Sequence, residues 1–258
     1  MSNPYPRVVS LKYHIEPGKG HAYGPGVKLS TKLKDFSAEL AQREAIFTPL
    51  IHFASADEAI AVLQPQLDSW EIHAMLTRGV GSLIFRFVDA YIQEQPPTPG
   101  LCVQLHGVTA KIFGGTVAPL ITHSHFVEPP TSFAVDANVE DLAAIYEGLI
   151  RYPRNLLHFA YAMTSRVSMA HGTEKAAANA LGVDHDVIRQ LNSMSAKLGV
   201  GAEARKHDRD SLGRAPTQAE REWIEKLLRE LLVRAGAIAA GSAPGGQITL
   251  QNSGAPPW

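Results

Sequence analysis

The chain has 258 residues, with 24 Lys and Arg against 25 Asp and Glu, and a formal net charge of −1. This balance argues against a protein that coats nucleic acid or an anionic membrane by bulk electrostatics. Hydrophobic residues make up 45% of the chain and charged residues 19%, which excludes an intrinsically disordered protein. The length allows one or two domains with a sizeable core.

The single cysteine, Cys102, excludes an intramolecular disulfide and gives no sign of an oxidising compartment. The N-terminus lacks the basic and apolar regions of a secretory signal. No run of about 18 apolar residues is present, so no membrane-spanning helix is expected. These patterns predict a soluble cytoplasmic protein without a membrane partner.

The first half of the chain shows the patterns of short strands. Residues 7–15 alternate between apolar and polar side chains, and residues 27–29 form a short extended run after a loop rich in Gly and Pro. Residues 83–92 alternate again. The pair Gly114-Gly115 suits a two-residue hairpin turn. Short strands bounded by turns favour an antiparallel sheet over repeated βαβ units.

Residues that favour the first turn of a helix precede several stretches with apolar side chains at helical spacing. These residues are Ser55, Asn138, Pro153, Thr173, Asp184 and Thr217. Pro65 is expected to interrupt or end the first helix, whereas Gly172 and Gly182 are expected to end later ones. Trp223 lies on the apolar stripe of the last helix.

Together these elements predict the α+β class, with an N-terminal domain that contains an antiparallel sheet and an all-helical C-terminal domain. The predicted boundaries are 1–135 for the mixed domain and 136–236 for the helical bundle. Residues 237–258 are rich in Gly, Ala and Pro and show no sustained period, so a flexible tail is expected there.

Residues 174–191 have the spacing of two helices joined by a glycine turn. Ala178 is the small residue where the helices would touch, Gly182 is the turn, and Ile188 would dock the second helix. The segment resembles the bacterial helix-turn-helix family, in which the second helix enters the major groove of DNA. The side chains that would contact nucleic acid are His185, Arg189, Asn192 and Lys197.

Two packed helices without a DNA function would use the same alanines, leucines and glycine. Asp184 and Asp186 place negative charge at the end of the second helix that should approach phosphates, which counts against DNA contact. Both interpretations stay open at the level of the sequence.

Arg166 and His171, which is followed by Gly172, resemble the motif of the HEPN ribonuclease superfamily. The resemblance implies a helical dimer in which the histidine takes part in RNA cleavage and the arginine supports the reacting phosphate. The chemistry is reasonable, because His titrates near neutrality and Arg offers several donors to a phosphate. A surface arginine and a histidine at a helix C-terminus are the alternative.

His123 and His125 would share one face of a strand, as ligands of a transition metal require. Glu128, His106 or Cys102 could add a third ligand. No second short spacing of ligands accompanies the pair, so no metal ligand and no cofactor are assigned.

A longer resemblance covers most of residues 50–235. The segments that carry it are residues 55–60, 70–71, 85–87, 204–206 and 216–225. They resemble an uncharacterised group of bacterial proteins. The resemblance implies a sheet-containing front and a helical back, and it implies no activity.

The sequence favours a non-catalytic binding or interaction protein that contacts DNA through residues 174–191. Its partner would be a nucleic acid, a protein, or a second copy of the chain in a homo-oligomer. The alternative is a metal-independent, HEPN-like ribonuclease that uses Arg166 and His171.

Overall fold

The computed structural model describes residues 5–94, 121–199 and 214–256, and the chain divides into two units, Met1–Pro129 and Pro130–Trp258. The first unit contains an antiparallel sheet and the second is built mostly of helices, which confirms the predicted α+β class. Over the described residues, no helix has the length and apolar composition needed to cross a membrane.

The alternating segments of the first unit form strands. They are β1 (Arg7–Ile15), β2 (His21–Tyr23), β3 (Lys28–Lys32), β4 (Phe36–Ala41), β5 (Glu44–Pro49), β6 (Phe85–Gln93) and β7 (Ile121–His123). Antiparallel pairing gives a sheet of order β3-β4-β5-β1-β6, and β2 pairs with β7 in parallel. The sequence predicts β1, β3 and β6, but it left β4 and β5 unassigned. The predicted hairpin at Gly114-Gly115 lies outside the described residues.

The helices begin near the predicted starts, with one correction. They are α1 (Ala56–Arg78), α2 (Ala137–Arg151), α3 (Leu156–His171), α4 (Glu174–Ala180), α5 (His185–Lys197), α6 (Gln218–Ala239) and α7 (Leu250–Ser253). Pro153 opens a short 3₁₀ turn directly before α3. Asn138 does not cap α2; the cap is Asp136, whose carboxylate accepts a hydrogen bond from the Val139 N–H at 2.8 Å. Asp is as good a cap as Asn, and it stands where the chain is still extended.

The expectation that Pro65 interrupts or ends the first helix is wrong, because α1 continues through it to Arg78. A proline inside a helix costs about 3 kcal/mol. The side chains of Leu63, Leu67 and Trp70 are fully buried on both sides of it. Each such side chain contributes about 1.5–3 kcal/mol by burial, so the continuous apolar stripe outweighs the proline.

Glu71 on α1 accepts a hydrogen bond from a backbone N–H of the edge strand β6. Ile15 in β1 donates its N–H to Arg43 on the β5 side, so the N–H of its partner Phe85 points away from β1. The Glu71 carboxylate accepts from this N–H at 2.6 Å. Burial raises the pKa of Glu71 to about 7, although the hydrogen bond from Phe85 opposes the shift.

The C-terminal segment differs from the flexible tail predicted for residues 237–258. Ile248 donates its N–H to the Gly182 carbonyl and accepts from the Asp184 N–H, so this segment pairs with the turn between α4 and α5. Further along, the Trp223 indole N–H donates to the Ser253 hydroxyl at 3.2 Å. Polar groups of the turn and of α6 need partners when buried, and the C-terminal segment provides them.

The side chain of Arg234 on α6 is only 7% exposed, and its hydrogen bonds join α6 to the turn at Gly182 and to the C-terminal segment. Its guanidinium donates to the carbonyls of Leu181, Gly182 and Gly246 at 2.6–3.1 Å, and its Nε donates to Glu230 at 2.9 Å. Gly182 has φ of +62°, and a Cβ there would lie 3.0 Å from the guanidinium. Both the backbone conformation and the close approach therefore favour glycine at this turn.

Replacement of Glu71 by Gln should remove a pH dependence of folding. The raised pKa means that the folded chain retains a proton that the unfolded chain releases between about pH 4.5 and 7. This contribution to the free energy of unfolding is therefore present at low pH and lost as the pH rises through that window. Urea denaturation from pH 4.5 to 8 should show a decline of more than about 1 kcal/mol in the wild type relative to Glu71→Gln. Equal pH profiles would contradict the assignment.

Replacement of Arg234 by Met should destabilise the helical unit by about 2–4 kcal/mol. Methionine keeps much of the apolar volume, but it removes the guanidinium donor from the carbonyls of Leu181 and Gly246, and it leaves that of Gly182 with only the Ile248 N–H. The matched control is Arg229→Met, at an exposed position of the same helix, where a lost surface interaction should cost less than about 1 kcal/mol. Urea denaturation at pH 7 measures both. Similar losses in the two variants would show that the guanidinium network does not stabilise the fold.

Candidate functional site

The segment predicted to resemble a helix-turn-helix forms two helices joined at Gly182. Ala178 on α4 and Ile188 on α5 are buried, and the Val183 N–H donates to the Ala178 carbonyl at 2.8 Å across the turn. Both helices also pack against α3. The geometry of a three-helix arrangement with a glycine turn is therefore present.

Two of the four side chains predicted to contact nucleic acid lie against polar side chains inside the unit. The His185 Nε2 lies 3.2 Å from a carboxylate oxygen of Glu174. The Asn192 amide donates to the other Glu174 oxygen at 2.6 Å and accepts from the Thr164 hydroxyl at 2.6 Å. These contacts tie α3, α4 and α5 together, and they use groups that DNA contact would need.

The other two side chains, Arg189 and Lys197, are exposed on α5. The Arg189 guanidinium lies 3.4 Å from the Asp186 carboxylate, one turn earlier on the same helix. Between Thr173 and Lys197, three acidic residues balance three basic ones. The α4–α5 segment therefore has no excess of positive charge toward a phosphate backbone.

Arg166 and His171, the predicted ribonuclease pair, both lie on α3. Five residues of helix separate their side chains by about 140° around the axis. The Arg166 guanidinium lies 2.7 Å from the Asp141 carboxylate of α2, and His171 is the last residue of α3. A phosphate would have to compete with Asp141 for Arg166.

The sequence did not reveal an exposed face on α3. The residues of this face follow one another at helical spacing from the 3₁₀ turn before α3 into the helix. Two of them are large and exposed, Tyr161 at 37% and Met169 at 74%. The α3 face consists of the exposed Arg154 in the 3₁₀ turn before α3, the exposed His158, Tyr161 and Met169, and the half-buried Ser165.

The charge pattern around this face could have revealed it. Between Glu147 and Glu174 the sequence has three arginines and two histidines but no acidic residue. In the sequence of an otherwise neutral chain, this interval is locally basic, and the α3 face lies inside it. In the structure, Arg151 and Arg166 are paired with Glu147 and Asp141, so Arg154 is the arginine that the interval contributes to the α3 face.

A pair of histidines in the first unit forms a second cluster. His21 on β2 and His123 on β7 lie with Nδ1 and Nε2 2.9 Å apart. The ring planes differ by 13° and the centroids are 5.2 Å apart, so the two nitrogens face each other. Burial lowers the pKa of both imidazoles, and the nearby Arg78 guanidinium lowers that of His123 further.

His125, the expected partner of His123, instead lies with its Nδ1 3.1 Å from the Ser124 hydroxyl. Within the described ranges, no group of three or more His, Cys, Asp and Glu side chains could hold a metal ion. His106 and Cys102, two of the third ligands considered, lie outside those ranges.

The sequence was compared with models of protein families, with curated proteins and with solved structures, and each comparison found no match. The resemblances to the helix-turn-helix family, the HEPN superfamily and a group of bacterial proteins therefore stay predictions.

Replacement of Asn192 by Asp tests the internal network of α3, α4 and α5. The new carboxylate would face Glu174 where the amide now donates a hydrogen bond. The expected loss in the free energy of unfolding is about 1–3 kcal/mol at pH 7. Repulsion raises the pKa of the acidic pair, so stability should recover as the pH falls and one carboxyl binds a proton. Urea denaturation at pH 5 and pH 7 measures this change.

The control is Asn179→Asp, the same chemical change at an exposed position of α4. It should cost less than about 1 kcal/mol and show little recovery at pH 5. If Asn192→Asp were as stable as this control, the hydrogen bonds of Asn192 would not stabilise the fold, and the side chain could turn toward a ligand.

Proposed function

We propose that this chain is a binding protein whose helical unit contacts a single-stranded nucleic acid through the α3 face. The proposal keeps the nucleic-acid function that the helix-turn-helix spacing predicts, but it moves the contact from α5 to α3. The observation that carries it is the exposed set of one Arg, one His, one Tyr and one Met in an interval without acidic residues.

Each side chain of this face suits one part of a single strand. The Arg154 guanidinium would neutralise a phosphate, with release of a counterion, and a ring nitrogen of His158 would donate a hydrogen bond to a phosphate oxygen. The Tyr161 ring would provide a surface on which a base stacks, which typically contributes about 1–3 kcal/mol. Stacking does not depend on base identity, so little sequence preference is expected.

The helix α5 suits this role less well. Its segment has balanced charges, Arg189 is close to Asp186, and Asn192 is bonded inside the unit. We do not propose a ribonuclease activity, because Arg166 is paired with Asp141 and lies on a different side of α3 from His171.

Fluorescence anisotropy with labelled 20-nucleotide strands would test the proposal at 50 and 150 mM salt. Binding should weaken as salt increases. Arg154→Ala and Tyr161→Ala should each weaken binding by about tenfold, whereas Tyr161→Phe should retain it because the ring still stacks. The matched control Arg189→Ala removes an exposed arginine of α5 and should change the dissociation constant less than about twofold.

Three outcomes would contradict the proposal. The first is the absence of salt-dependent binding at tens of micromolar protein. The second is a larger loss from Arg189→Ala than from Arg154→Ala, with preference for a duplex, which would favour the helix-turn-helix prediction. The third is equal competition by polyglutamate, which would identify an acidic protein surface as the partner.

A further inference from the structure

The pairing of β2 with β7 is short and joins distant parts of the chain. Each strand has three residues, with His21 opposite Ile121 and Tyr23 opposite His123. Two-stranded pairings are marginally stable by themselves, and parallel ones slightly less so than antiparallel ones. The hydrogen bond between the His21 and His123 rings adds a side-chain contact to this pairing.

The Nδ1 of His21 and the Nε2 of His123 share one hydrogen bond. A neutral imidazole has one donor and one acceptor nitrogen. In the neutral pair, one of the two facing nitrogens therefore carries the hydrogen and the other accepts it, and the tautomers of the rings decide which.

One added proton can be shared by the pair, because an imidazolium still donates to a neutral imidazole. A second proton removes the last acceptor lone pair, and two cations then face each other at the distance of a hydrogen bond. The pair therefore cannot keep its hydrogen bond when both rings are protonated.

The surroundings oppose a positive charge on the pair. Arg78, the last residue of α1, donates to the His125 carbonyl, and His125 follows β7. The other groups that face the rings are the Tyr23 ring, whose hydroxyl is bonded to the Ser82 carbonyl, and the Val80 carbonyl. Among the residues that the structure describes, the charged or titratable groups that act on the imidazoles are Arg78 and His125, besides each other.

We propose that the His21–His123 hydrogen bond is a pH-sensitive latch that holds β7 to β2 at neutral pH and releases it in acid. Release is confined to the strand. The residues that follow β7 stay anchored because Phe126 and Val127 are buried and the Trp70 indole donates to the Val127 carbonyl at 2.7 Å. The device is a local opening rather than global unfolding.

The direction of the pH effect follows from linkage. Both imidazoles have a pKa below the ordinary value of 6.5 in the folded chain, so the open form binds protons more readily than the closed form. The closed form is then fully favoured above about pH 6.5 and loses stability as the pH falls below it. Each pKa unit corresponds to a tenfold change in the opening equilibrium.

Amide hydrogen exchange of the whole chain, followed by NMR at pH 7.5 and pH 5.0, tests the latch. The reporters are the Ile121 amide, which donates to Gly20, and the Gly24 amide, which donates to His123. Their protection factors should fall by at least about tenfold in acid. The core amide of Val8, which donates to Phe53, should change less than about twofold.

The matched control is the double variant His21→Gln/His123→Gln, which can keep an amide–amide hydrogen bond but does not titrate in this range. Its Ile121 protection should be independent of pH. Equal losses in wild type and variant, or a loss at Val8 as large as at Ile121, would overturn the proposal.

A second measurement uses only the wild type, in case the variant does not fold. Between pH 8 and 5, the imidazole ¹⁵N shifts report the protonation of each ring, and the Ile121 amide shift reports the opening of β7. The amide shift should change together with the second protonation of the pair. Movement of the amide shift without any protonation of His21 or His123 would also overturn the proposal.

Discussion

The guanidinium of Arg234 sets the geometry of the helical unit. A glycine turn between two helices leaves carbonyls that water would normally satisfy. Here the turn is partly covered, and one buried cation donates to carbonyls of the turn and of the C-terminal segment together. The angle between α4 and α5, the docking of residues after Gly245 and the position of α6 therefore depend on one set of hydrogen bonds. The exposed side of α3 depends on them indirectly, since α3 packs against α4, α5 and α6.

In the first unit, the apolar stripe of α1 has the corresponding role. It holds the helix together across Pro65 and covers the sheet, while Glu71 and Trp70 reach the β6 edge and the segment after β7. The end of the same helix positions Arg78 beside the His21–His123 pair. A rigid core thus carries a short, weakly paired strand at its periphery. A difference of this kind in local stability is what a local pH response requires.

Local chemistry made much of the fold predictable. Caps at Ser55, Thr173, Asp184 and Thr217 act within one turn of the chain, so their sequence signals survive any tertiary context. Apart from the cap of α2, where Asp136 replaces the predicted Asn138, the prediction failed where distant groups compete with a local preference. Pro65 was outweighed by burial, and the expected tail is ordered by partners on α6 and at Gly182. The strands β4 and β5 were left unassigned, although their burial alternates clearly in the folded sheet.

The sequence by itself determined the α+β class, most helix starts, the glycine turn at Gly182 and the burial of Trp223. Each of these rests on side chains within a few residues of one another, or on a periodicity that any fold must bury. Only the tertiary structure decided which polar groups are bonded inside the fold and which lie at its surface. It turned Asn192 inward to Thr164 and Glu174, brought His21 to His123 instead of His125, and left the α3 face exposed. The partners of a polar side chain come from remote parts of the chain, and residue spacing contains no information about them.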